Sequence, residues 1–181
     1  MATVKKLTQP GQFDLQIVNL ITCEGTSVDI KDNVIEINFF ESLEDVAVSG
    51  RILFHDTAGM TNIGPLIGQE YLQVLINTPS LKGKKSKIDF TENLLHITGI
   101  INQTETNNAT ITAMEFVSSE LVHNRRTKIT RKLEGTYSDL VTTLLQKDLQ
   151  CKKDLYIETS LGIKHIMPHD RTPFGMIEEF E

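Results

Sequence analysis

The alternation of Val46, Val48, Gly50, Ile52 and Phe54 with Ser49, Arg51 and His55 is the most constraining feature of this sequence. Strands send successive side chains to opposite faces, so this spacing fits a strand with one apolar and one wet face. A wet face in turn implies an antiparallel sheet, because parallel sheets bury both faces. The same period dominates from residue 13 to 117. Phe13, Leu15 and Ile17 alternate with Asp14 and Gln16, then the phase slips at Val18 and Leu20 becomes the next inward residue. A bulge near Val18 accounts for the slip. Ile35, Ile37 and Phe39 alternate with Glu36 and Asn38 after the polar segment 29–33, which reads as a hairpin connection. Gly50 reads as a bend.

Further strands are predicted at 71–76, around Ile88 and Phe90, through Leu95, Ile97, Gly99 and Ile101, and at 110–117 beyond the polar turn 103–108. Between them, Asp56 or Thr57 as a cap, Met60, Ile63 and Ile67 at helical spacing, and Gly68 as a stop predict one helix, kept short by Pro65. About seven strands suit a closed barrel or sandwich.

The period changes near Gly135, which divides a β-barrel domain, 1–133, from a partial α/β domain, 134–181. The fold class is therefore mainly β with an α+β C-terminal part. Thr136 caps a helix with Asp139 at its third position, and Tyr137, Leu140, Val141, Leu144 and Leu145 share one face. A short strand at 163–167 precedes Thr172 and Pro173, a cap and first-turn pair that opens a terminal helix. Phe174, Ile177 and Phe180 on that helix have little chain around them, so a partner or further chain is expected to cover them.

Composition limits the chemistry. The 18 Lys and Arg against 24 Asp and Glu give a formal charge of -6, which disfavours a general nucleic-acid surface. The densest basic cluster, Arg125, Arg126, Lys128, Arg131 and Lys132, lacks interleaved aromatics and reads as a solvated connector or protein interface. Lys84 and Lys85 follow Gly83, but Thr78 stands where a phosphate loop needs its first Gly. His165 and His169 have i, i+4 spacing, yet Pro168 prevents the regular helix that would align them as metal ligands. Cys23 and Cys151 are too far apart in sequence for a zinc module, and neither sits in a nucleophile signature. No catalytic residue, metal site or cofactor is expected. The sequons at Asn102 and Asn108 read as polar turn residues. There is no apolar leader or 18-residue apolar run.

Three stretches carry a resemblance to a known family. The first runs from Glu41-Ser42-Leu43 through Val48-Ser49-Gly50-Arg51-Ile52-Leu53-Phe54-His55-Asp56 to Ile67-Gly68-Gln69-Glu70-Tyr71-Leu72-Gln73-Val74. The second joins Ser118-Ser119-Glu120-Leu121 and Asn124-Arg125-Arg126-Thr127-Lys128-Ile129 to Gly135-Thr136-Tyr137-Ser138-Asp139-Leu140-Val141. The third is Pro168 followed by Arg171-Thr172-Pro173-Phe174-Gly175-Met176-Ile177. In this order the chain resembles the baseplate central hub proteins of contractile-tailed bacteriophages, related to the hub part of type VI secretion spike proteins.

That resemblance implies an antiparallel β-barrel of the tail-tube type followed by the start of an α/β domain. It implies a homotrimer in the virion tail baseplate, contacting a tail-tube or tube-initiator protein above and a central spike below, with DNA passing through the lumen. Hub chains carry two barrels and this one only one, so missing residues or a second hub chain are expected to supply the rest. Arg125, Arg126, Lys128, Arg131, Phe174, Ile177 and Phe180 are the expected interface residues. The rival reading is a monomeric OB-like binding module, marked by salt-sensitive binding through 125–132.

Overall fold

Alternation becomes a seven-stranded antiparallel sheet. In the computed structural model, residues 13–42, 45–56, 66–78, 87–105 and 110–180 are described. The expected helix positions Met60, Ile63 and Pro65, the Gly83 to Ser86 segment, and the Asn108 sequon lie outside them. Two compact units emerge, one of Met1–Glu41 with Val48–Val117 and one of Ser42–Ala47 with Ser118–Glu181. The division falls at the end of a strand, ahead of the expected line at 133, because residues from 118 onward pack with the later helices.

The first unit contains β1 (Asp14–Ile21), β2 (Ser27–Asp29), β3 (Val34–Phe40), β4 (Ser49–Asp56), β5 (Tyr71–Asn77), β6 (Lys87–Glu105) and β7 (Thr110–Val117). Their order is β2-β1-β5-β6-β7-β4-β3. β6 and β3 stand three strand spacings apart, roughly 14 Å in a flat sheet. Yet Phe39 on β3 stacks on Phe90 of β6 with ring centroids 5.8 Å apart, so the sheet curls onto its own inner face. Val18, Leu20, Ile52, Phe54, Leu72, Val74, Leu95, Ile97, Met114 and Phe116 fill the hollow. Each such side chain, fully buried, contributes about 1.5–3 kcal/mol.

The mainly antiparallel β fold matches expectation, but several local readings need correction. The segment 29–33 is not a hairpin turn. It contains a single 3-10 turn, Lys31–Asn33, linking the two edge strands, β2 and β3, which share no ladder among the described residues. The barrel is therefore curled but not closed by hydrogen bonds.

The phase slip in β1 is real, with Gln16 as the extra residue between the Leu15 and Ile17 pairings, so Val18 rather than Ile17 reaches the core. A second bulge at Ile35 turns that residue out, 47% exposed, while Ile37 and Phe39 pack inward. The two predicted strands at 88–101 are one strand, β6. Gln73 alone opposes its residues 91–94, so the strand absorbs a wide bulge where it passes from β5 to β7. Gly50 is no bend. A Cβ there would lie 2.2 Å from the Asn38 carbonyl oxygen and 2.3 Å from the Phe116 ring, so glycine makes room for neighbouring backbone and ring.

The second unit holds α1 (Ser119–Arg126), β8 (Leu133–Gly135), α2 (Tyr137–Thr143), β9 (Lys164–Ile166) and α3 (Pro173–Glu178). α2 runs into a wider π-type turn, Leu144–Asp148. Thr136 caps α2 by accepting from the Asp139 amide at 3.2 Å, and Thr172 caps α3 by accepting from the Gly175 amide at 3.3 Å, as the sequence predicted. β8 and β9 pair as a separate two-stranded sheet. Ile129, Leu133, Leu140, Leu144 and Met176 form its own core.

Candidate assembly surfaces

The glycine turn before β5 is built by one acid. Glu70 is 1% exposed, and its two carboxylate oxygens accept from the amides of Ile67 at 2.7 Å and Gly68 at 2.9 Å. Gly68 occupies the left-handed region at φ +79, which glycine enters without strain. Glu70 also accepts from the Ile97 amide through its backbone oxygen at 2.8 Å, fixing the turn to β6. Sequence reading included Glu70 in the first family-like stretch but gave no sign that its carboxylate is spent on backbone amides.

The basic cluster does not survive as a free positive strip. Arg125 and Arg126 sit in the last turn of α1, where cations favour the helix dipole, and are exposed. Lys128 donates to the Asp170 carbonyl at 3.3 Å. Arg131 holds Asp148 with a fork of 2.8 Å and 2.6 Å, and that bond raises the guanidinium pKa further. Lys132 pairs with Glu134 at 2.9 Å. Three of the five cations thus bind the unit's own acceptors.

The expectation that Phe174, Ile177 and Phe180 lie uncovered is corrected for Phe174, while Ile177 and Phe180 are half-buried. Phe174 is 6% exposed, and its amide donates to Asn124 Oδ1 at 2.9 Å. Ile177 and Phe180 pack on the unit's core, with Phe180 5.0 Å from the Tyr137 ring. A short capped helix docks through these residues on α2 and the π-type turn, burying Phe174 and covering Ile177 and Phe180 in part.

Glu120 is the other buried acid. Burial pushes its carboxyl up, but its own amide and the Lys153 ammonium at 3.2 Å outweigh this and hold it below the ordinary glutamate value. A group depressed on folding adds stability above its unfolded pKa, and that stability fades as pH falls through the folded value. Stability should therefore decline as pH falls below the ordinary glutamate pKa of about 4.3. Lys153→Met should cost about 1–2 kcal/mol at pH 7, less than a fully buried pair because the ammonium is partly exposed. Denaturant melts at pH 7 and pH 3 check this, and the variant's deficit should shrink at the lower pH. Burial likewise raises the neighbouring Cys151 thiol, which suits an inert thiol.

His165 Nδ1 lies 3.3 Å from Glu134 on the paired strand, while His169 is exposed elsewhere. No group of three or more His, Cys, Asp or Glu side chains among the described residues is placed to hold a metal. No helix among them is long and apolar enough to cross a membrane.

What remains is a curled sheet whose edge strands β2 and β3 pair on one side only among the described residues, and a small mixed unit. Neither a family model nor a curated relative matches the sequence. Among solved structures, the tail protein from Neisseria meningitidis MC58 aligns with TM-score 0.53 at 12% identity, covering 89% of this chain and 43% of that one. The chain shares the fold of that tail protein over this stretch. The 43 kDa tail protein of prophage MuSo2 from Shewanella oneidensis aligns equally well, at TM-score 0.53 and 9% identity, over 91% of this chain and 46% of its own. The chain thus spans less than half the length of either tail protein.

Proposed function

We propose that this chain is a structural component of a phage tail, placed in the baseplate hub. There it forms a homotrimeric ring between the tail tube and the central spike, with a lumen through which the genome passes. The observation that carries this reading is the shared fold with two tail proteins over about nine-tenths of the chain. The open edges β2 and β3 support it, because unpaired strand edges are ready templates for joining subunits. Such a ring works through its geometry, and the reading assigns it no catalytic residue or cofactor. The tube or tube-initiator protein and the spike are its expected neighbours.

Light scattering after gel filtration, at low and high salt, tests the reading on the intact chain. A stable trimer, or a trimer that forms only with another tail protein, supports it. A monomer at both salt concentrations that recruits no tail protein overturns it.

A further inference from the structure

The five arginines of the chain fall into two groups. Arg51 lies 3.6 Å from Glu115, Arg131 2.6 Å from Asp148 and Arg171 2.8 Å from Glu179. Arg125 and Arg126, side by side in the last turn of α1, are exposed and hold no carboxylate among the described residues. Lys128 just beyond them is exposed as well, and its bond to the Asp170 backbone carbonyl leaves its charge unneutralised. A solvated arginine on a surface is ordinary, but the guanidinium is weakly hydrated and its fork matches a carboxylate. In a chain of formal charge -6, this turn is a local excess of positive charge.

The first unit carries the opposite excess along the rim of its sheet. Glu24, Asp29, Asp32, Glu36 and Glu41 are all exposed, and Lys31 is the single base between residues 24 and 41. None of these acids lies in an ion pair among the described residues. Asp29 accepts from the Lys31 amide at 2.9 Å and Glu36 from the Asn38 side chain at 2.7 Å, neutral donors that leave both charges in place. The run spans the two edge strands, β2 and β3, and the turn between them. Acids on an edge strand oppose its pairing with another acidic edge, so this rim accepts a partner that brings cations.

We infer that Arg125 and Arg126 of one copy dock on the acidic rim of a second copy, with Asp32 and Glu36 at the centre of that rim as their partners. The two surfaces differ, so the contact is head to tail and each copy offers one of each, which is what a closed ring requires. Exposed ion pairs are individually weak and screened by salt, so the contact sets partner choice and orientation more than affinity. The inference rests on the tail-component reading and names the surfaces through which its copies meet.

Sedimentation equilibrium of the intact chain at low and high salt provides the test. Arg125→Glu with Arg126→Glu should weaken self-association about tenfold or more, because attractions become repulsions. Asp32→Arg with Glu36→Arg should do the same, and the fourfold variant should recover most of the wild-type affinity. All four positions are exposed, so every variant should keep the wild-type circular dichroism and melting midpoint. High salt should weaken the wild type and narrow its lead over both double variants.

A wild-type oligomer whose affinity either double variant leaves unchanged, or the fourfold variant fails to recover, overturns the inference and leaves the tail reading standing. A wild type that is monomeric at both salt concentrations overturns it too, and the tail reading falls with it only if no other tail protein is recruited. Salt-sensitive binding of duplex DNA that Arg125→Glu with Arg126→Glu abolishes, with self-association unchanged, overturns it in favour of nucleic acid.

Discussion

Gly50→Ala should lower the unfolding free energy of the seven-stranded unit by about 3 kcal/mol, near the upper end of the cost of overpacking a core. The added carbon meets the Asn38 carbonyl oxygen on one side and the Phe116 ring on the other, both far inside van der Waals contact. Phe116 is wholly buried and edges against Phe39 at 5.2 Å, so it has no empty space to enter. Urea melts give the value directly. Adding Phe116→Leu should relieve the ring clash but not the backbone one, leaving the two substitutions non-additive by at least about 0.5 kcal/mol. A Gly50→Ala midpoint equal to the wild type would mean that edge strand β3 moves aside freely, against this account of the core.

Glu70→Ala should cost a similar amount, about 3 kcal/mol, for a different reason. Two amides lose charge-assisted bonds in a place where the carboxylate was 1% exposed. Glu70→Gln keeps the shape and one acceptor oxygen but turns an amide donor toward the second N–H, so it should fall between alanine and wild type. Hydrogen exchange at Ile97, whose amide is held by the Glu70 carbonyl, should speed up in both variants. Equal melts for all three proteins would show that water replaces the carboxylate without loss.

The two variants probe features that differ in how well the sequence announces them. Glu70 stands two residues after Gly68 at the start of an alternating segment, a pattern that marks a turn. Gly50 looks like a bend by the same kind of rule, yet its role depends on Asn38 and Phe116, which are distant in sequence. The helix α1 went unread because its few apolar residues, Leu121 and Val122, give no periodic stripe and its basic end resembles a connector. The burial of Phe174 went unread for a related reason. A helix near the end of a chain seems short of neighbours until the fold returns Ile129, Leu133 and Leu144 to meet it.

By itself the sequence determined the antiparallel β class and the two threonine caps. Both are local, since alternation and capping act between residues a few positions apart. Only the tertiary structure decided the place of the β1 bulge at Gln16, the bulges at Ile35 and 91–94, the edge positions of β2 and β3, and the spending of Arg131 on Asp148. A bulge inverts which side chains face the core, and its place is fixed by the partner strand's register rather than by the strand's own residues. The free surface of the molecule is likewise what remains after distant segments have found each other. That is why the partners of Lys128, Arg131 and Lys132 within the unit, and the burial of Phe174, were not legible in the sequence.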